Sequence, residues 1–349
     1  MKRAVMVLLT LIAFPALAAF AGPPTGLTAM ERLGRHLFKD KNLSYNGTQS
    51  CQVCHHPFAG FADRRNQLNP ATRVVSIGAD GESLGDRNAP TAAYAGFSPS
   101  LNLVDGTWVG GLFWDGRADG SVLGDPLAEQ AQGPPLNPVE MNMPSKEAVI
   151  AAIEDSAYAN LFLRVFGPDA FDDVDAAYDN FARAVAAYER SKEVTRFTSR
   201  FDTAETQFSE AEKSGRELFN RNCGACHTTE AEFGAPAALF TNYGYYNIGV
   251  PANPLVPLSE PDPGLGATLG DSNQWGKFKV PTLRNIALSP PYSHNGYFPT
   301  LKEMVSFMND NSEFTPEVPE NIDPGVGAMG LDESSIDDIV SFLMTLTDR

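Results

Sequence analysis

Two pentapeptides of the form Cys-x-x-Cys-His, CQVCH at Cys51–His55 and CGACH at Cys223–His227, use all four cysteines of this 349-residue chain. They start 172 residues apart, and each follows a copy of one segment: ERLGRHLF at Glu31–Phe38 and EKSGRELF at Glu212–Phe219, identical at five of eight positions. Each copy is followed, much further on, by a stretch with apolar residues at helical spacing, DNFARAVAAY at Asp179–Tyr188 and DDIVSFLMTL at Asp337–Leu346. Such internal similarity describes two copies of one helical unit, each running helix, Cys-x-x-Cys-His, long loops and closing helix.

The units meet near Ser191–Phe208, a polar stretch without apolar periodicity, and Ser209 with Glu212 three residues on forms a capping-box pattern that opens the second. We expect domains at 22–200 and 201–349. The loops Ala59–Pro144 and Phe233–Pro299 are rich in proline and glycine and show almost no strand alternation. The expected fold class is therefore all-α. Units with so few helices and so much loop need a large apolar group at their centre.

Lys2 and Arg3, the apolar run Ala4–Phe14 and the small residues up to Ala21 read as a secretory signal peptide over 1–21, too short and wrongly flanked to span a membrane. No later segment suits a membrane span. The net charge of -17 becomes -19 once Lys2 and Arg3 are removed, which excludes a phosphate-backbone binder of nucleic acid and favours a cationic partner.

An exported chain should spread its cysteines as a disulfide framework, whereas these lie in two tight pairs, each with its own histidine. Zinc ribbons place their pairs far closer together, and a thioredoxin-type motif needs a βαβ pattern that is missing here. The spacing fits covalent c-type haem attachment: two thioethers hold the porphyrin edge, and the next residue, His55 or His227, reaches the iron.

Two haems make an enzyme only if one keeps an open iron position. His56 directly follows a proximal ligand and cannot turn onto the same iron, and His36 belongs to the preceding helix, so both read as structural. His294, in PPYSHNG, is placed to approach a haem edge, as a ligand or as a hydrogen-bond donor to a propionate. Methionine thioether is the other common sixth ligand, and Met304 and Met308 share one helical face.

The haem motifs, FWDGRA at Phe113–Ala118, QAQGPPLNPVEM at Gln130–Met141, RNAP at Arg87–Pro90 and PTLRNIALSPPYSHNG at Pro281–Gly296 together resemble the bacterial dihaem cytochrome c peroxidase family, which includes the MauG-type protein-oxidising enzymes. The resemblance covers nearly the whole mature chain. It implies two cytochrome c-like domains: an amino-terminal peroxidatic haem on Cys51, Cys54 and His55, and a carboxy-terminal electron-transfer haem on Cys223, Cys226 and His227. It also implies Met308 as the distal ligand of the second haem, Trp114 between the haems, Glu140 as distal acid-base residue with Gln130 beside it, and calcium at Asn88, Ser289 and Pro291. Many such proteins carry a removable histidine after a Ser-Ile-Gly segment; here Ser76-Ile77-Gly78 is followed by Ala79, and no histidine lies between His56 and His227. MauG-type members share that loss but have tyrosine where this chain has Met308.

The expected activity is a periplasmic peroxidase that reduces hydrogen peroxide to water with electrons from a small cytochrome c or cupredoxin. MauG-like oxidation of a partner protein and non-catalytic electron transfer are the alternatives, and the resemblance allows for a homodimer.

Overall fold

The computed structural model describes residues 26–349; the expected signal peptide lies outside them. The first half contains α1 (Ala29–Lys39), α2 (Cys51–Cys54), α3 (Arg64–Leu68), α4 (Pro126–Leu136), α5 (Lys146–Glu154), α6 (Ala159–Phe166) and α7 (Val174–Glu189). The second contains α8 (Arg200–Thr203), α9 (Glu210–Asn222), α10 (Leu265–Leu269), α11 (Leu301–Asn309) and α12 (Glu333–Met344). Among the described residues no helix is long and apolar enough to cross a membrane.

The repeated octapeptide is the first helix of each half, and the same device starts both. Thr28 with Glu31 caps α1, and Ser209 with Glu212 caps α9, each pair satisfying two backbone N–H groups that the first turn would leave bare. Each first helix then crosses a closing helix, α1 on α7 and α9 on α12. The glycine kept in both copies is the crossing point: a Cβ on Gly34 would overlap the Ala184 carbonyl, and one on Gly215 the Asp338 carbonyl. The phenylalanine kept in both copies packs one turn further on, Phe38 against Tyr188 at 5.3 Å and Phe219 against Phe342 at 5.2 Å between ring centroids.

The molecule is mostly helical, with two small departures from the all-α expectation. β1 (Asn102–Val104) pairs antiparallel with β2 (Thr107–Val109), and β3 (Tyr245–Tyr246) with β4 (Phe278–Lys279). The first hairpin turns on Asp105 and Gly106, at φ 48° and 83°. An Asp-Gly pair tolerates this left-handed turn, and that is the signal the loop reading passed over.

The polar stretch between the halves is anchored by buried side chains. Ser191, Thr195 and Ser199 are buried, and the fully buried Arg284 guanidinium grips Asp202 with two bonds of 2.9 and 2.8 Å while its Nε donates to Ala238 O. Arg284 also lies over the Phe197 ring at 4.4 Å. All three guanidinium nitrogens donate, and such satisfaction is the condition under which a buried ion pair is tolerated. Tyr94 of the first half donates to Asp348 near the carboxy terminus at 2.6 Å, closing the same seam.

Candidate active site

Both Cys-x-x-Cys-His segments fold into one tight turn in which the histidine N–H donates to the first cysteine's carbonyl at 2.8 Å. The ring of His55 meets Phe61 O at 3.0 Å through Nδ1, and that of His227 meets Phe240 O at 2.7 Å. A carbonyl can only accept, so Nδ1 carries the proton and Nε2 presents its lone pair, as an iron ligand must. Both accepting residues sit in the left-handed region, Phe61 at φ 63° and Phe240 at φ 55°, so the two halves repeat this strained detail as well. Burial pushes both imidazoles below their ordinary pKa, His227 to about 4, and keeps them neutral.

None of the four cysteines is in a disulfide. Burial raises their thiols, Cys54 and Cys223 to about 12, so with no group bound they stay protonated. Among the described residues no three His, Cys, Asp or Glu side chains gather as a metal cluster. Paired neutral thiols beside an oriented, neutral imidazole fit a haem in each half.

A cavity of about 340 Å³ opens in the first half, lined by Phe113, Arg117, Gln132, Asn137, Glu129 and Glu140 among others. Asp125 caps α4 with Pro126 in its first turn, Pro134 and Pro135 bring the helix to its end, and Glu140 follows in a turn closed by its own N–H on Asn137 O. The two cavity carboxylates differ in what holds them. Glu129 accepts the N–H groups of Gly120, Val122 and Leu123 at 2.7–2.8 Å and is committed to that loop. Glu140 accepts from the Asn137 amide at 2.9 Å. Burial raises its carboxyl above the ordinary range, against the opposing pull of Arg117 and Asn137. Its backbone carbonyl accepts the Ala79 N–H at 2.7 Å, and the Arg65 guanidinium links Ile77 O, two residues before Ala79, to Cys54 Sγ, each at 3.5 Å, so Glu140 is tied to the segment that packs on the first motif.

The Phe113–Ala118 loop joins this cavity to the second half. A bridge between Leu112 and Ala118 pinches it, and Phe113 at φ 60° and Gly116 at φ 77° turn it. One face gives the cavity Phe113 and Arg117, whose guanidinium lies 3.7 Å from the Phe113 ring and pairs with Asp115 at 2.7 Å. From the loop's other side, Trp114 donates its indole N–H to Asn88 O at 2.8 Å, while its carbonyl accepts the Lys279 N–H of β4 at 2.9 Å. Trp114 is thus tied to both halves.

The segment that lacks the histidine is pinned. The Ala79 carbonyl accepts from Asn46 at 2.6 Å and Thr48 at 2.9 Å, and its N–H donates to Glu140 O at 2.7 Å.

Gln130 lies half-buried on α4 but outside the cavity lining, where Gln132 stands instead. Met304 and Met308 both pack, half-buried, against the cluster of Val250, Tyr292, Phe298 and Phe307. Asn88 donates to Pro291 O at 2.7 Å, whereas the Ser289 hydroxyl turns to Ile286 O. His36 stacks on Tyr158 and His56 caps a short turn at Phe58, both structural. His294 is buried, stacked on Phe278 at 3.6 Å. Arg117 and Asn137 were missed by the sequence reading, although both lie inside the quoted motifs.

Residues 28–211 match the family described as di-haem cytochrome c peroxidase, and residues 212–347 match cytochrome c. The chain belongs to the di-haem cytochrome c peroxidase family. It has two cytochrome c-type domains, in line with the repeat, and is 40% identical to the methylamine utilization protein MauG of Paracoccus denitrificans over 92% of this chain and 89% of that protein. Identity to the cytochrome c551 peroxidase of Nitrosomonas europaea is 30%, over 91% and 80% of the two chains. Among solved structures, the diheme peroxidase BthA of Burkholderia thailandensis superposes with a TM-score of 0.83 at 29% identity, covering 96% of this chain and 89% of that one. Members of this family with either kind of name are oxidoreductases, and two c-type haems are the family's cofactor.

Proposed function

We propose that this protein is a periplasmic peroxidase that reduces hydrogen peroxide to two water molecules, taking up two protons and two electrons supplied singly by a small cytochrome c or cupredoxin. The observation that carries the reading is the Glu140 cavity in the half that holds the first Cys-x-x-Cys-His motif. Cys51 and Cys54 would hold one haem by thioethers with His55 as its iron ligand, and Cys223, Cys226 and His227 would hold the other. Bound haem supplies the electrons that break the O–O bond.

The chain's own residues handle position and protons. Glu140, as carboxylate, takes a proton from one peroxide oxygen and returns it to the departing one. Asn137 fixes the orientation of that carboxylate, and the Arg117 guanidinium faces the charge that develops on the leaving oxygen. Phe113 walls the cavity on its apolar side. Trp114, bonded to both halves, would carry electrons between the haems, and Met308 would be the second haem's distal ligand. Calcium would fit between the halves with the Asn88 amide turned so that its oxygen, with the Ser289 and Pro291 carbonyls and waters, faces the ion.

Steady-state peroxide consumption with reduced cytochrome c tests the reading, and absence of turnover by the fully loaded protein overturns it. Oxidation of a partner protein is the second reading, favoured by the 40% identity to a MauG. It is adopted if peroxide oxidises the protein but reduced cytochrome c sustains no turnover.

With no histidine from His56 to His227 and Ala79 pinned, the first haem should be high-spin and open when fully ferric. Electron paramagnetic resonance of the resting protein checks this, and a purely low-spin spectrum contradicts it. Met308→His should leave the second haem six-coordinate and low-spin at a lower potential, since imidazole favours ferric iron more than thioether does. Redox titration decides between the methionines: a potential moved by Met304→His and not by Met308→His reverses the choice.

A further inference from the structure

Four charged side chains lead without a break from the Glu140 cavity into the second half. Arg117, on the cavity wall, bonds Asp115 Oδ2 through Nη1 at 2.7 Å, and Arg87 Nη1 bonds the same oxygen at 2.6 Å. Arg87 turns its other edge to the second half, where its Nε and Nη2 donate to the two oxygens of Asp262 at 2.6 and 2.8 Å. Asp262 is fixed from within that half: its Oδ1 accepts the Gly264 N–H at 2.9 Å, and its own N–H donates to Glu317 Oε1 at 3.0 Å.

Burial separates the rigid end of this chain from the loose one. The Arg87, Asp115 and Asp262 side chains are no more than 11% exposed, against 45% for Arg117. A buried guanidinium forked onto a carboxylate keeps its geometry, whereas a half-exposed arginine on one carboxylate oxygen does not hold itself in place. Arg117 has Asp115 and the Phe113 ring to keep it over the cavity. The loop that carries Asp115 has little play, because Tyr245 of the second half donates to Gly110 O at 2.7 Å and its hydroxyl leaves no room for a Cβ on Gly116.

We propose that Asp262, a residue of the second half, positions the cavity cation Arg117 through Arg87 and Asp115, so that the peroxide site is tuned from across the seam. The proposal deepens the peroxidase reading and rests on it for what enters the cavity. Asp262 and Arg87 touch no substrate; both are positioning residues. Without the Asp262 carboxylate, Arg87 is left buried with one partner, and its fork closes on Asp115 and takes the oxygen that Arg117 shares. Arg117 then turns to solvent. Glu140 loses the cation that opposes the rise caused by its burial, while Asp86 continues to push the carboxyl up. The sign separates this from a field effect alone: deleting a nearby negative charge would by itself strengthen anion binding and lower the Glu140 midpoint, and losing Arg117 does the reverse.

Fluoride is the probe, since it binds open ferric haem as an anion, accepts hydrogen bonds and is followed by absorption without turnover. In oxidised, haem-loaded protein Arg117→Gln should weaken fluoride binding by about tenfold or more, the worth of a hydrogen bond from a charged group. Asp262→Asn should weaken it by about fivefold and move the acid limb of the peroxide kcat/KM profile to higher pH. In the Arg117→Gln background, Asp262→Asn should leave fluoride affinity within about twofold and the limb in place, because the group it positions is gone. Its effect on thermal unfolding should be the same in both backgrounds. Arg87→Lys keeps the charge but cannot fork between two carboxylates, so it should shift both readouts in the same direction, and it replaces Asp262→Asn if that variant folds poorly. Tighter fluoride binding by Asp262→Asn, unchanged affinity, or equal weakening in both backgrounds overturns the proposal. Fluoride results of the expected sign in a protein without peroxide turnover keep the positioning role and remove the peroxidase reading.

Discussion

Glu140→Gln should lower hydrogen peroxide turnover by roughly 10² to 10⁴, the range for loss of a general acid-base group. Glutamine keeps the size of the side chain and a partner for Asn137, but it cannot take up a proton. The pH profile supplies the diagnostic. Burial raises the Glu140 carboxyl, and the ionised form is the one that accepts the first proton. Wild-type kcat/KM should therefore climb with pH through a midpoint above the ordinary carboxylate range, and that limb should vanish in the variant. The second haem's spectrum should be unchanged, because Glu140 belongs to the first half. Glu129→Gln is the contrasting case: its carboxylate is committed to three backbone N–H groups, so its loss should show in thermal unfolding more than in the pH profile. Glu140→Gln activity within a factor of two of wild type, with the acid limb intact, would reassign the proton to another group.

Gly34→Ala and Gly215→Ala should each destabilise the protein by about 3 kcal/mol, the upper end of what overpacking costs. The added methyl meets a backbone carbonyl on the facing helix, Ala184 O in one half and Asp338 O in the other. A carbonyl within a helix cannot swing aside as a side-chain tip can, so the two helices must separate and loosen the Phe38–Tyr188 or Phe219–Phe342 contact. In a domain the size of either half that corresponds to a fall of roughly 6–12 °C in Tm, read by circular dichroism. Gly26→Ala, with open space around it, is the control and should shift Tm little. Loss of less than 1 kcal/mol at both crossings would show that the helices do not meet as closely as described.

The sequence alone was enough for whatever is encoded within a few residues. Cys-x-x-Cys-His closes one turn, so its spacing already states that two thiols and an imidazole face one group. A capping box is likewise a four-residue statement, and Ser209 with Glu212 starts α9 as expected. The octapeptide repeat announced two units, yet not why glycine and phenylalanine are among the positions kept. That reason lies on helices some 120 to 150 residues away, at Ala184 and Tyr188, or at Asp338 and Phe342. The short strands were hidden too, because two-residue ladders such as β3 and β4 are too brief to show alternation.

The site divides in the same way. The resemblance pointed to Glu140 and Trp114, but only the fold separates Glu140 from Glu129, since the difference is which backbone N–H groups each carboxylate meets. Only the fold puts Gln132 rather than Gln130 on the cavity wall, a matter of helix rotation, and adds Arg117 and Asn137 to it. Linear order determined which residues could carry the chemistry, because covalent spacing fixes what a single turn can hold. Tertiary structure decided which carboxylate is left with a single side-chain partner and which tryptophan is bonded to both halves, because hydrogen bonding and burial are set by neighbours distant along the chain.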